Sequence, residues 1–300
     1  MAFPNFFIVG APKAGTTTLY HHLRAHPDVF MSEAKEPHYF SYAGEGQPRW
    51  GVQTLDAYRT LFDGVQNETA VGEASTWYLY SETAAEQIQR AVPDAGIIAL
   101  LRDPVSRAYS SWSYRVQMGW ESEPFERAIV LEEQRRAAGE PWDVHYLNAG
   151  WYADQVDRYL RAFGPDQVRV FLFEDLTSDP AAVVSEALRF VGVDPNATTV
   201  QANRVHNATV MPRWTALTRF LKRGDVRSLA RRVPAPLRRV LADSLRSVNR
   251  RNRPRLDPGL RQSLQDRFRP DVRRLEILLG KDLERCWFGG NQESKTVPAT

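Results

Sequence analysis

The chain has 300 residues, 43% of them apolar, and a formal net charge of +3 at pH 7, enough to bury a full core as one large domain or two smaller ones. Its single cysteine, Cys286, excludes an internal disulfide, fits a reducing compartment and reads as a packed thiol rather than a nucleophile. No stretch approaches the roughly 18 apolar residues of a membrane span, no charged leader opens the sequence, and no nucleic-acid recognition motif accompanies the charge, so the expectation is a cytoplasmic protein that does not bind nucleic acid.

Phe6–Val9 is a short apolar run that predicts a buried strand, followed by a Gly/Pro loop and a helix over Thr16–Arg24. A helix N-terminus offers unpaired N–H groups and a partial positive charge, which suits a phosphate. The spacing Gly10-x4-Gly15-Thr16-Thr17 is close to the phosphate loop of nucleotide-binding enzymes. There a lysine follows the second glycine; here it stands three residues earlier than that position, at Lys13, which points to a different phosphate ester. A tight strand-to-helix turn with no ligand is the alternative.

His26-Pro27-Asp28 ends this helix, and Ser32–Phe40 follows. Glu36 and His38 can each exchange a proton, and the aromatic neighbours Tyr39 and Phe40 could desolvate the carboxylate and make it a better base. Glu33 is a weaker competitor. The plainer reading is a solvated Lys35–Glu36 pair with His38 in a loop. His22 and His26 are one helical turn apart, but no cysteine or carboxylate completes a metal set, and no metal is expected.

Thr69–Gly72 predicts a strand, and Gly96–Leu101 is a continuous apolar run, the mark of a strand buried on both faces. Arg102-Asp103-Pro104 comes next, with Pro104 suited to the first turn of a helix. Arg102 then lies at the C-terminal end of a strand, where open α/β sheets bind ligands. Ser110 is eight residues on, about two helical turns. A guanidinium offers paired donors to phosphate oxygens and a serine hydroxyl adds one more. Arg107, between them, reads as a solvated or ion-paired helix residue. No apolar strand ends in an aspartate free to hold Mg²⁺, which argues against a kinase. Beyond, a helix begins at Gly150-Trp151-Tyr152, Val168–Phe173 predicts a strand, Asp179-Pro180 opens a helix through Phe190, and Leu256–Leu279 a closing helix.

Residues 1–200 hold 16 Lys and Arg against 27 Asp and Glu, whereas residues 201–285 hold 22 against 8. A basic segment is thus attached to an acidic body. Residues 211–255 are read as helices packed on the body, as a cover over anionic ligands, or as a surface for an anionic membrane or carrier protein. The alternation of strands and helices predicts one α/β domain over 1–290, with a central parallel sheet flanked by helices (1–210), the basic elaboration (211–255), a closing helix (256–290) and a tail at 291–300.

Pro12-Lys13-Ala14-Gly15-Thr16-Thr17 resembles the 5′-phosphosulfate loop of sulfotransferases that use 3′-phosphoadenosine-5′-phosphosulfate (PAPS), and Arg-Asp-Pro-x-x-Arg-x-x-Ser resembles their 3′-phosphate site. Lys35-Glu36-x-His38-x-Phe40 is similar to a stretch of the heparan and glycan type, and the 174–190 region to many bacterial members. The resemblance implies a phosphate-loop-like fold and PAPS as co-substrate without metal. It places the phosphosulfate on Lys13, Ala14, Gly15, Thr16, Thr17 and Thr18, and the 3′-phosphate on Arg102 and Ser110. Arg250-Arg251 falls where relatives carry Lys-Gly-Arg, so Arg251 joins the 3′ site. Glu36 is the implied base and His38 its auxiliary. Glu73–Tyr78 resembles an acceptor-side Glu-Lys-Thr-Pro-x-Tyr stretch, with Ala74 replacing a lysine that helps hold anionic glycans. The acceptor expected is therefore a hydroxyl of a small molecule, glycan or lipid-linked compound. A phosphate-loop kinase and a non-catalytic nucleotide-binding module are the alternatives.

Overall fold

The computed structural model describes residues 2–41, 51–197, 211–212, 250–251 and 254–289. Five parallel strands form the central sheet: β1 (Phe6–Gly10), β2 (Val29–Met31), β3 (Ala70–Ala74), β4 (Gly96–Leu101) and β5 (Val168–Leu172), in the order β2-β3-β1-β4-β5. The apolar runs explain the arrangement. All five residues of β1 and of β3 are buried, as they must be in strands covered on both faces. β1 lies between β3, with Phe6 opposite Gly72, and β4, with Phe6 opposite Gly96. After β3 the chain crosses β1 to reach β4, so the chain direction switches beside β1 and the loops leaving β1, β3 and β4 lie at the C-terminal end of the sheet. In open α/β sheets such a switch point is where ligands bind.

The helices are α1 (Thr16–Arg24), α2 (Leu55–Arg59), α3 (Ala84–Ala91), α4 (Pro104–Met118), α5 (Phe125–Val130), α6 (Glu132–Ala137), α7 (Tyr152–Phe163), α8 (Phe173–Ser178), α9 (Pro180–Phe190), α10 (Pro258–Leu279) and α11 (Leu283–Phe288). α1 packs on α9, while α7 packs on α3 and α10. The buried Asp271 of α10 accepts the Tyr152 and Ala153 N–H groups at 2.7 and 3.2 Å, capping α7 from a helix far along the chain. The expected parallel sheet and flanking helices are present. β2 is an addition: three residues are too few for a strand period to be read from sequence.

A two-residue strand β6 (Met211–Pro212) pairs antiparallel with β7 (Arg250–Arg251), Met211 opposite Arg251, and β6 lies against α4. The rest of the basic segment as far as residue 253, and the tail at 291–300, lie outside the described residues.

Candidate functional site

The chain leaves the buried end of β1 in a tight loop. The Ala14 N–H donates to the Ala11 carbonyl at 3.2 Å, and Lys13 and Gly15 take positive φ, +70° and +91°. A Cβ on Gly15 would lie 3.0 Å from Leu176 Cδ2 and 3.1 Å from Phe173 Cδ2, so a glycine is needed for space as well as for backbone. The Thr18 and Leu19 N–H groups return to the Gly15 carbonyl at 2.9 and 3.3 Å. Gly15, Thr16 and Thr17 occupy the opening turn, where an α-helix has N–H groups without intrahelical partners and gathers an anion. Thr16 is buried; Thr17 and Thr18 are half-buried. Lys13 Nζ stands 4.2 Å from the centre of the Tyr114 ring, a cation–π contact.

Arg102 follows β4 directly. Its Nη1 donates to the Lys13 carbonyl at 3.2 Å, and its guanidinium lies 4.2 Å from the centre of the Phe173 ring. Asp103 is the N-cap of α4: its carboxylate accepts the Val105 and Ser106 N–H groups at 3.0 and 3.3 Å, with Arg261 Nη1 3.1 Å away. Ser110 is buried two turns into α4. Its neighbour Tyr109 donates to the Pro254 carbonyl at 2.8 Å, which holds the chain just after Arg251 beside this helix. Arg107 departs from expectation. It is fully buried rather than solvated, has no ion-pair partner among the described residues, and donates through Nη2 to the Tyr146 carbonyl. Burial lowers its pKa, opposed by the charges of Tyr152, Glu132 and Tyr80. Most of α4 is buried, so the polar character of Arg107 did not reveal its direction.

Glu36 lies in the loop after β2, with its side chain 34% exposed. Its backbone N–H donates to the Ala74 carbonyl at 2.8 Å. Lys35 Nζ meets Oε1 at 2.6 Å, and Oε2 accepts from Thr76 Oγ1 at 3.1 Å and faces His38 Nε2 at 3.2 Å. Burial raises the Glu36 carboxyl, but the His38 hydrogen bond and the Lys35 charge outweigh it and hold the group well below the ordinary carboxylate range, so the desolvation expected to strengthen this base is overridden and the carboxylate is instead kept ionised. His38 is fully buried, donates its backbone N–H to Ser75 Oγ at 2.9 Å, and meets the Tyr78 ring edge-on. The Lys35–Glu36 pair therefore exists, but as part of a cluster rather than as a solvated pair. Glu33 is exposed.

Several neighbours went unrecognised in the sequence. Tyr114 stands under Lys13 and also feels the Glu36 and Asp143 charges, which with burial raise its pKa. Asp143 pairs with Arg115 at 3.1 Å, and burial raises its carboxyl, Arg115 opposing and Glu36 adding. Among the aromatic residues, Trp77, Tyr78 and Trp112 are buried, Trp120 is 58% exposed beside Tyr114, and Tyr42 and Trp50 lie outside the described residues. The Glu73–Tyr78 stretch points mainly inward, with Glu73, Ala74, Ser75 and Tyr78 fully buried. His26 is a loop staple, Nδ1 accepting the Asp28 N–H at 3.1 Å and Nε2 donating to the Asp194 carbonyl at 2.8 Å. Burial, with nearby carboxylates, pushes the Cys286 thiol up to about 11, so it is protonated at neutral pH.

A family model described as the sulfotransferase domain matches residues 3–213, and the chain belongs to that family. A sulfotransferase from Alicyclobacillus acidocaldarius is similar in structure, with a TM-score of 0.73 and 33% identity over 96% of this chain and 100% of the other. Among curated relatives, the bifunctional heparan sulfate N-deacetylase/N-sulfotransferase 3 of Homo sapiens is 34% identical over 200 residues, covering 64% of this chain and 23% of that protein. The heparan sulfate glucosamine 3-O-sulfotransferase 6 of Homo sapiens is 30% identical over 191 residues, covering 64% of this chain and 53% of that protein. The chain thus matches between about a quarter and a half of the length of these relatives.

Proposed function

We propose that this protein transfers a sulfuryl group from PAPS to a hydroxyl of a small-molecule, glycan or lipid-linked acceptor. The observation that carries the reading is the placing of two opposite chemistries at the C-terminal end of the sheet. A cation and a helix N-terminus follow β1, and an ionised carboxylate held by Lys35, His38 and Thr76 faces the loop after β3. Family membership and the placement at the switch point support it.

The donor, when bound, supplies a sulfuryl group activated by its 5′-phosphate. Lys13 and the N–H groups of Gly15, Thr16 and Thr17 stabilise negative charge growing on that phosphate. Ala14 and Thr18 complete the loop. Arg102, Ser110 and Arg251 hold the 3′-phosphate, the guanidinium of Arg102 supplying paired donors. Glu36 takes the proton of the acceptor hydroxyl as the oxygen attacks in line. His38 and Thr76 hold the carboxylate in its ionised, outward-facing form. None of these roles requires a metal.

The relatives are named for N- and O-sulfation of heparan sulfate, so hydroxyl and amine acceptors are tested together. Purified protein is incubated with radiolabelled PAPS, EDTA and panels of hydroxyl and amine compounds, and products are separated. Label moving to a hydroxyl compound is the expected outcome. Label moving to amines alone overturns the O-sulfation reading. Magnesium-dependent ATP turnover with no sulfate transfer would favour the kinase alternative instead.

A further inference from the structure

Glu73 lies fully buried in β3, one strand away from the phosphate loop, and the roles above leave it unused. Its carboxylate accepts from three hydroxyls: Tyr58 at 2.6 Å, Tyr78 at 3.1 Å, and Ser75. Two of these donors reach onward to the loop that carries the base. Ser75 Oγ accepts the His38 N–H at 2.9 Å, and Tyr78 OH accepts the Phe40 N–H at 3.2 Å. Glu36 and His38 both take positive φ, +66° and +52°. Non-glycine residues keep such a conformation only where their surroundings impose it.

A carboxyl group buried at Glu73 needs a reason. Burying a carboxylate among neutral donors is costly, and an uncharged side chain of similar size would fill the space. Burial raises its carboxyl, and Ser75, Tyr58, His38 and Tyr78 oppose the rise without reversing it. Ser75 Oγ and Tyr78 OH each take a backbone N–H of the 36–40 loop and each direct their own O–H to the Glu73 carboxyl, so the carboxyl fixes how these two hydroxyls are turned. With Ser75 and Tyr78 committed as donors to Glu73, their lone pairs are turned toward the His38 and Phe40 N–H groups.

We propose that Glu73 is a positioning residue: through Ser75 and Tyr78 it orients the acceptors that hold the 36–40 loop, with Glu36 and His38 at positive φ, in the conformation presenting the Glu36 carboxylate, without itself touching donor or acceptor. The inference rests on Glu36 being the base, and deepens that reading.

Native-state hydrogen exchange resolved to individual amides tests it without any acceptor. The proteins compared are wild type, Glu73→Gln, Ser75→Ala and Glu36→Gln. In Glu73→Gln and Ser75→Ala the His38 amide should exchange at least about tenfold faster while the amides of β4 keep their protection. Affinity for adenosine 3′,5′-bisphosphate should stay within about twofold, since the phosphate loop is untouched. Glu36→Gln should keep His38 protected. Where transfer is measurable, Glu73→Gln should lower kcat about tenfold or more at unchanged acceptor KM. His38 protection unchanged in both Glu73→Gln and Ser75→Ala overturns the proposal. So does loss of protection shared equally by β4, which marks a purely structural role. Should Glu73→Gln fail to fold, Ser75→Ala decides alone. A protein that transfers no sulfuryl group yet loosens this loop as described would refute the functional reading and leave the Glu73 anchor standing.

Discussion

Arg102 Nη1 donates to the backbone carbonyl of Lys13 at 3.2 Å, joining two loops that stand 89 residues apart in the chain. The loop after β1 and the start of α4 are therefore tied to each other. The ring of Phe173 packs under the Arg102 guanidinium and against Gly15, so the same side chain supports both halves. A disturbance at either motif is felt at the other.

Replacing Arg102 with alanine should weaken binding of adenosine 3′,5′-bisphosphate by about 1.5–3 kcal/mol, the range for a hydrogen bond to a charged group. Arg102→Lys should recover only part of this, because an ammonium lacks the planar fork that serves carbonyl and phosphate together. Calorimetry in EDTA measures both variants. The wild type should prefer the bisphosphate to ATP and to adenosine 5′-phosphate. Equal affinity for the 5′-phosphate and the bisphosphate would remove the assigned 3′ site.

Glu36→Gln separates donor binding from acceptor activation. Glutamine keeps the shape but cannot accept a proton, so turnover should fall by roughly 10²–10⁴. Bisphosphate affinity should be nearly unchanged, because Glu36 is bonded to Lys35, Thr76 and His38 rather than to the phosphate loop. If Glu36→Gln remains fully active while His38→Ala is inactive, the base is His38.

The parts legible in the sequence were those whose signal is local. Phe6–Val9 and Gly96–Leu101 are apolar runs and Val168–Phe173 is apolar but for the exposed Arg169, and β1, β4 and β5 follow them to within a residue at the ends. The Gly15 turn and Pro104 fix the starts of α1 and α4 by backbone chemistry alone. What stayed hidden depends on contacts across the sheet. Arg107 looks like a surface arginine until α4 is seen to be buried on most sides. Tyr114 acquires its place only when α4 packs beside the loop after β1. Asp271 caps α7 from more than 100 residues away, which no local pattern can announce.

Gly15→Ala should lower bisphosphate affinity more than it lowers stability. An alanine at φ +91° carries a left-handed backbone cost of about 1–2 kcal/mol. Its Cβ also presses on Leu176 and on Phe173, the residue that supports Arg102. Gly139 provides the control, with φ +67° and nothing within 4 Å of an added Cβ. Gly139→Ala should reduce Tm through backbone strain while leaving nucleotide affinity as it is. Equal affinity losses in the two variants would show that Gly15 matters only as a flexible joint.

The acid limb of stability should report on Glu36. In the unfolded chain its carboxyl titrates near the ordinary value of 4.5; in the folded protein, burial notwithstanding, His38 and Lys35 hold it lower. Between those two values the unfolded state binds more protons than the folded one, so stability rises with pH across that window. The stabilisation is thus fully present above the unfolded value and is lost as pH falls toward the folded one. Glu73 has the opposite sign, because burial raises its carboxyl, but it is the same in wild type and Glu36→Gln and cancels in their difference. The stability gap between these two proteins, measured by urea unfolding, should stand at its full value near about pH 5.5 and narrow steadily below about pH 4.5. A gap that stays constant down to about pH 3 would mean that the Lys35–Glu36–His38 cluster does not hold the carboxylate in its ionised form.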